Sequence, residues 1–215
     1  MLQLHKEMTF ELNTEHSISE LKIGATDITT VSRLPNILAA FKQKYPAVEI
    51  TLQNNSTEQL IEAVLNYQLD GAFITNPVQH PKLKYKPLVK EEVVLISAKD
   101  HIPIQQLSDV QHASMLVFSK GCTYRSLAEE WIRDENVYIK KLELSTIESI
   151  INFVKAGLGI ALVSKHIAEQ ANRDQMLQFH KVPQKYRKVE TGFISLTTEG
   201  PENVISTVLD SLLFK

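Results

Sequence analysis

The sequence predicts an α/β fold arranged as two lobes. Three observations predict it: two successive strand and helix cycles, one opening at Leu21 and one at Met115; short alternating apolar runs set between helical apolar stripes; and hydroxyl side chains at the helix starts. Alternating strands and helices of this length imply parallel sheets with right-handed crossovers. Any ligand crevice then lies at the carboxyl ends of the strands. The 215 residues, 43% of them hydrophobic, suffice for one large core or two small ones, so the two lobes rest on the repeated pattern and not on length.

Taken in order, Leu2, Leu4, Met8 and Leu12 are loosely helical in spacing within a polar, mixed-charge segment, which reads as a linker over residues 1–19. Leu21, Ile23 and Ala25 alternate as a strand. Val31, Leu34, Leu38, Phe41 and Tyr45 then share one face of a helix over about residues 30–44. Pro35 fits if that helix starts near Ser32, because a first-turn N–H has no partner to lose, and Tyr45-Pro46 ends it. Val48, Ile50 and Leu52 make a second strand. Ser56 and Gln59 form the S-x-x-Q capping pattern of a helix bearing Leu60, Ile61, Val64 and Leu65, and residues 70–75 make a third strand.

A proline-spaced stretch, His80 to Pro87, precedes a strand at residues 93–97, after which the cycle repeats. Its parts are a strand at 115–118, a helix at about 123–134, a strand at 138–144 and a helix whose Ile147, Ile150, Ile151 and Val154 line one face. Gly157-Leu158-Gly159 follows a helix and precedes a strand, the reverse of a phosphate-binding loop, so it reads as a helix stop before a strand at 160–164. Residues 192–197 look like a strand, and Val204, Ile205, Val208, Leu209 and Leu212 give an amphipathic last helix.

Several classes are disfavoured. A net charge of −2 without a Lys/Arg cluster interleaved with aromatics argues against this chain gripping nucleic acid by itself. Cys122 is the sole cysteine, so no internal disulfide forms, and the first sixteen residues lack a basic n-region and a long apolar run; a cytoplasmic, soluble protein is expected. No window approaches the roughly 18 consecutive apolar residues of a membrane span. Neither a G-x-S-x-G elbow nor a Ser-x-x-Lys motif is present, no pair of carboxylates converges, and Asp70 at a strand start reads as structural, so no enzyme is expected. His166 and Glu169 are the only metal-like spacing. No metal and no cofactor are expected.

The candidate site is a binding site. Thr26, Asp27, Ile28, Thr29 and Thr30 lie between the first strand and its helix, where hydroxyls and first-turn N–H groups can surround a small anion; the plainer reading is N-capping by Thr29, Thr30 or Ser32. Asp27 is an awkward neighbour for an anion and either points away or recognises an amino group. Asn55, Ser56 and Thr57 form a second edge under the same two readings. In the later cycle, Gly121, Cys122, Thr123 and Arg125 open a helix. Arg125 either pairs with a ligand carboxylate or makes an i,i+4 pair with Glu129. Ser145, Thr146 and Ile147, capped in S-x-x-E fashion with Glu148, supply a last wall. Cys122 at a helix start invites a redox reading, but a lone cysteine lacks a resolving partner, and a pocket-lining or structural role is the expectation.

These residues carry a family resemblance. Ile23-Gly24, the polar loop from Thr26 to Thr30, Leu34-Pro35, Phe41, Tyr45-Pro46, the strand Val48 to Leu52 and Ser56-Thr57 resemble the start of the effector-binding domain of LysR-type transcriptional regulators. Leu69-Asp70-Gly71-Ala72, Gly121-Cys122-Thr123-Tyr124-Arg125 and Ala156 to Ala161 continue it, so it covers nearly everything after residue 20. The resemblance implies a two-lobed, periplasmic-binding-protein-like (type 2) fold, with two Rossmann-like subdomains joined by two crossing strands near Ser97 and Phe193 to Thr197. Subdomain I would be residues 20–97 plus 193–215 and subdomain II residues 98–192, after the end of a linker helix. It also implies that Thr26, Ile28 and Thr29 approach a small-molecule effector. Partners would be a second copy in an antiparallel homodimer, through the helices Val31 to Tyr45 and Thr123 to Asp134, and a tetramer in the full-length protein. DNA would be contacted only through a winged helix-turn-helix domain absent from this chain. A solute-binding protein of a transporter is the alternative on the same fold.

Overall fold

The computed structural model describes residues 20–110 and 113–197, and the linker segment and the amphipathic last helix lie outside the described residues. The chain divides into two compact units. One takes in the residues up to Asn55, Gln59–Leu88 and those from Gly192; the other takes in Ser56–Glu58 and Val89–Thr191. Apart from Ser56–Glu58, the chain passes from the first unit to the second after Leu88 and returns after Thr191.

In the first unit, β1 (Glu20–Ala25) pairs in parallel with β2 (Glu49–Asn54) and with β3 (Gly71–Thr75), with Ile23 opposite both Leu52 and Gly71. The period-2 alternation of the strands separates two cores. On one face Leu21, Ile23, Ala25, Phe73 and Phe193 meet Leu34, Ile37 and Phe41; on the other Ala72, Ile74 and Ile194 meet Leu60, Ala63 and Val64. A parallel sheet covered on both faces is what βαβ crossovers produce.

The helix expected over residues 30–44 begins earlier and is broken. Its two parts are α1 (Asp27–Ser32) and α2 (Leu34–Lys44), separated by Arg33 at φ −120°, ψ −38°. Pro35 is the physical reason, since it has no N–H to donate back to Val31 and therefore sits in the first turn of a new helix. After β2, α3 (Thr57–Leu65) returns to β3.

The proline-spaced stretch is also strand. β4 (Leu83–Ala98) runs sixteen residues through Pro87, and β9 (Lys188–Leu196) lies beside it; each passes from one unit to the other. The alternation was hidden because this part of β4 carries half-exposed Tyr85 and Lys86, and Tyr85 lies where a side chain on Gly192 would otherwise stand.

The second unit contains β5 (Ser114–Val117), β6 (Lys141–Glu143), β7 (Gly159–Ser164) and β8 (Leu177–His180), in the order β4-β7-β5-β6 with β8 also on β4. Its helices are α4 (Thr123–Asp134), α5 (Ile147–Lys155) and α6 (Lys165–Ala171). β6 is shorter than the expected strand at 138–144, because Asn136 turns the chain at φ 51° and Tyr138 is 88% exposed. β8 was not foreseen: Leu177 to His180 is too short and polar to stand out. Gly157, at φ 79°, ends α5 as expected, with Leu158 N–H on Phe153 O (3.0 Å) and Gly157 N–H on Val154 O (2.9 Å), the paired bonds of a Schellman stop.

His180 ties β8 to β4. Its Nδ1 accepts from Ile104 N–H (3.2 Å), so Nε2 carries the proton and donates to Ser97 Oγ (2.8 Å), which donates to Ala98 O (3.1 Å). Burial, and then the charge of His101, hold the imidazole below its ordinary pKa. With the folded pKa below the unfolded one, the unfolded chain takes up the proton first as pH falls. The contribution is complete above about pH 6.5 and is lost as pH falls through the folded pKa. Urea midpoints should therefore fall between pH 7.5 and pH 5, and His180→Gln should reduce that slope; equal slopes would refute the assignment.

Candidate functional site

Each unit places the predicted residues at the carboxyl ends of its parallel strands. In the first, Thr26 follows β1 and occupies the N-cap position of α1 with extended backbone, while its N–H donates to Phe73 O (3.3 Å). The expected capping by Thr29, Thr30 or Ser32 does not occur, because α1 starts at Asp27 and places all three inside the helix. Thr29 Oγ1 instead meets Thr26 Oγ1 at 3.0 Å, and both residues are buried. Thr30 and Ser32 donate back to the carbonyls of Thr26 (3.0 Å) and Ile28 (2.6 Å), as hydroxyls inside helices do. Ile28 is buried, which leaves its first-turn N–H as the group it can offer.

Asp27 is turned sideways, with Oδ1 accepting from Asn54 Nδ2 (3.1 Å), and Asn55 N–H donates to Ala25 O (3.3 Å). The loops after β1 and β2 are thereby tied together. Ser56, which with Thr57 and Glu58 is grouped with the second unit, directly precedes α3. Next to it, the Thr57 hydroxyl is buried and has no hydrogen-bond partner among the described residues. A buried hydroxyl without a partner costs about 1–3 kcal/mol relative to a satisfied one, so this atom marks where a polar group of a ligand would be favoured.

In the second unit, Gly121 takes the loop after β5 through φ 83°, a conformation that favours glycine, and Cys122 stands at the N-cap position of α4 and in no disulfide. Arg125 is held by three acceptors: Glu129 (Nε, 3.0 Å), Phe118 O (Nη1, 3.0 Å) and Glu143. Although desolvation opposes the charge, the hydrogen bonds to Glu143 and Glu129 hold its pKa above the usual arginine value. Glu129 also accepts from Lys141 (2.8 Å), the main reason its carboxyl lies below the ordinary range, followed by its bond to Arg125 against an opposing desolvation. This cluster joins the loop after β5 to α4 and β6.

The expected Ser145–Glu148 box is corrected by one residue. Thr146 is the N-cap of α5, and its Oγ1 accepts from Ser149 N–H (3.2 Å) and donates to Ser149 Oγ (2.9 Å). The shift follows from Ile147, which is buried and begins the helix, so the residue just before it must cap. Among the described residues no three His, Cys, Asp or Glu side chains group as a metal site would require, and no helix is long and apolar enough to cross a membrane.

Residues 14–213 match the LysR substrate binding domain, and the chain belongs to that family. Among curated proteins it is 35% identical to the HTH-type transcriptional regulator SoxR of Arthrobacter sp. over 92% of this chain and 67% of that protein. It is 39% identical to the HTH-type transcriptional regulator GltR of Bacillus subtilis over 81% of this chain and 59% of that one. The chain thus spans about three fifths to two thirds of the length of these relatives. Among solved structures, the regulatory domain of Synechocystis PCC6803 CcmR in complex with 2-PG superposes with a TM-score of 0.78 at 21% identity, covering 91% of this chain and 96% of that one. The effector binding domain of QuiR in complex with shikimate gives 0.73 at 17%, covering 92% and 97%. The fold is the two-lobed, periplasmic-binding-protein-like one, two α/β units joined by two strands.

Proposed function

We propose that this chain is the effector-binding and oligomerisation domain of a LysR-type transcription regulator, that it senses a small anionic metabolite, and that binding alters how a winged helix-turn-helix domain of the same protein engages DNA. The observation that carries the effector site is the hydroxyl-rich strand edge, with Thr26 and Thr29 paired and the buried Thr57 hydroxyl unsatisfied among the described residues. A carboxylate or oxyanion accepting from the Thr57 hydroxyl, and from whichever of Thr26 and Thr29 does not donate to the other, would satisfy donors left open among the described residues, with the first turns of the helices adding a favourable field. Asn55 and Ser56 extend this edge. Gly121, Cys122, Thr123, Ser145 and Thr146, with the Ile147 N–H, supply the contacts of the second unit. Arg125, taken up by two carboxylates and a carbonyl, acts by holding its loop, and Asp27 by fixing Asn54.

The chain acts by binding and not by turnover, in the cytoplasm, as an antiparallel homodimer that forms tetramers in the full-length regulator. Its exposed apolar residues Val31 on α1, Leu52 on β2 and Leu142 on β6 fit such contacts. The relatives are regulators, which leaves a transporter's solute-binding protein without support. Signalling is a population shift: a ligand that prefers one arrangement by about 1.4 kcal/mol changes the ratio tenfold.

A thermal-shift screen of amino acids, aromatic and aliphatic acids and oxyanions tests the reading. Saturable stabilisation by at least one small anion is expected, since a ligand at about 100 times its Kd adds about 2.7 kcal/mol. Stabilisation by neutral or cationic compounds alone would overturn the anionic assignment.

A further inference from the structure

We propose a second ligand site, for a small carboxylate with an apolar body, in a recess wholly within the second unit whose lining shares no residue with the proposed effector loops. The recess has a volume of about 300 Å³, at the lower end of small-ligand sites, and lies where β4, the start of α6, the end of β8 and the turn before β9 meet. Its charge is one-sided. Lys165, Lys181 and Arg187 line it, against the single carboxylate of Glu92, which is paired with Lys165 at 3.0 Å.

That pairing leaves two cations. Neither Lys181 nor Arg187 makes an ion pair among the described residues, and Arg187 is half-buried. A guanidinium held partly out of water without a carboxylate is an unfavourable arrangement unless something else offsets its desolvation. Among the described residues only the Val182 carbonyl does so, accepting from Nε (3.1 Å) and Nη2 (2.9 Å). Those bonds also fix the group's orientation. The remaining walls are apolar: Val94 and Val182 are buried, while Phe179 is 41% exposed. The buried imidazole of His180 has both nitrogens engaged and adds no charge. A fixed guanidinium, a mobile ammonium and an exposed ring suit an arylcarboxylate, with the carboxylate on Arg187 and Lys181 and the ring against Phe179.

The test is equilibrium binding of benzoate to the intact chain, with benzyl alcohol and inorganic sulfate as controls. Benzoate should bind saturably and more tightly than either control. Lys181→Gln and Arg187→Gln should each weaken it about tenfold or more, the scale of one lost charge-assisted hydrogen bond. Thr26→Ala and Thr123→Ala should leave this binding unchanged, which separates it from the effector site. Lys181 is exposed, so its variant reports even if Arg187→Gln fails to fold. Unaltered affinity in Lys181→Gln, sulfate binding as tight as benzoate, loss in Thr26→Ala, or no saturable binding would each overturn the proposal.

Discussion

Trp131→Ala should lower the stability of the second unit by about 3–5 kcal/mol, the range for truncating a large buried aromatic. Trp131 is 2% exposed and stacks on Tyr186 with centroids 6.0 Å apart and planes 23° from parallel. Its indole N–H donates to Glu135, whose other oxygen accepts from Leu107 N–H at 2.9 Å. Truncation therefore leaves a cavity and strips a donor from a carboxylate that also anchors a backbone turn. Because Trp131 is the only tryptophan, circular dichroism in urea is the appropriate readout. A loss below about 1 kcal/mol would mean that the site collapses to fill the space.

Gly159→Ala should be the most damaging of the glycine substitutions in this unit, costing at least the roughly 1–3 kcal/mol of an overpacked core. Gly159 opens β7 opposite Ser114 of β5, and an added Cβ would stand 2.2 Å from the Ser114 carbonyl oxygen and 2.9 Å from Leu116 Cδ2. That oxygen belongs to the backbone, so relief requires the strands to part. Gly157→Ala is the informative comparison. Nothing lies within 4 Å of its added Cβ, so only the positive φ of 79° is strained, at a cost of about 1 kcal/mol. Thermal or urea denaturation showing Gly157→Ala as the worse variant would contradict the packing described for β5 and β7.

These two glycines show how far the sequence could be read. Gly157 was legible as a helix stop because its role is local; Gly159 was grouped with it, since a close approach to Ser114, forty-five residues earlier, leaves no local mark. The same division runs through the fold. Strands with strict alternation and helices with a full apolar face were found, whereas β8 and the first half of β4 were not, because short, half-exposed strands lack the periodicity that betrays a core. At the candidate site the loops were found but not all of their bonding. Pro35 broke a helix that Val31 to Tyr45 made look continuous, and this moved Thr29 from a cap to a partner of Thr26. Arg125 left two readings open until β6 brought Glu143 beside Glu129. The recess of the second unit had no signature at all, since Glu92, Lys165, Lys181 and Arg187 are scattered along the chain.

We propose that the hydroxyl-bearing strand edges bind the effector. Isothermal titration of whichever anion stabilises the protein, into the wild type, Thr26→Ala and Thr123→Ala, tests it most directly. Binding weakened by about tenfold in each variant is the predicted result, each substitution removing about one hydrogen bond to a charged ligand; Thr26→Ala also loses some stability, because it strips the buried Thr29 hydroxyl of its partner, and the titrations are run where both variants are fully folded. Wild-type affinity in both variants would contradict it and place the ligand elsewhere on the chain.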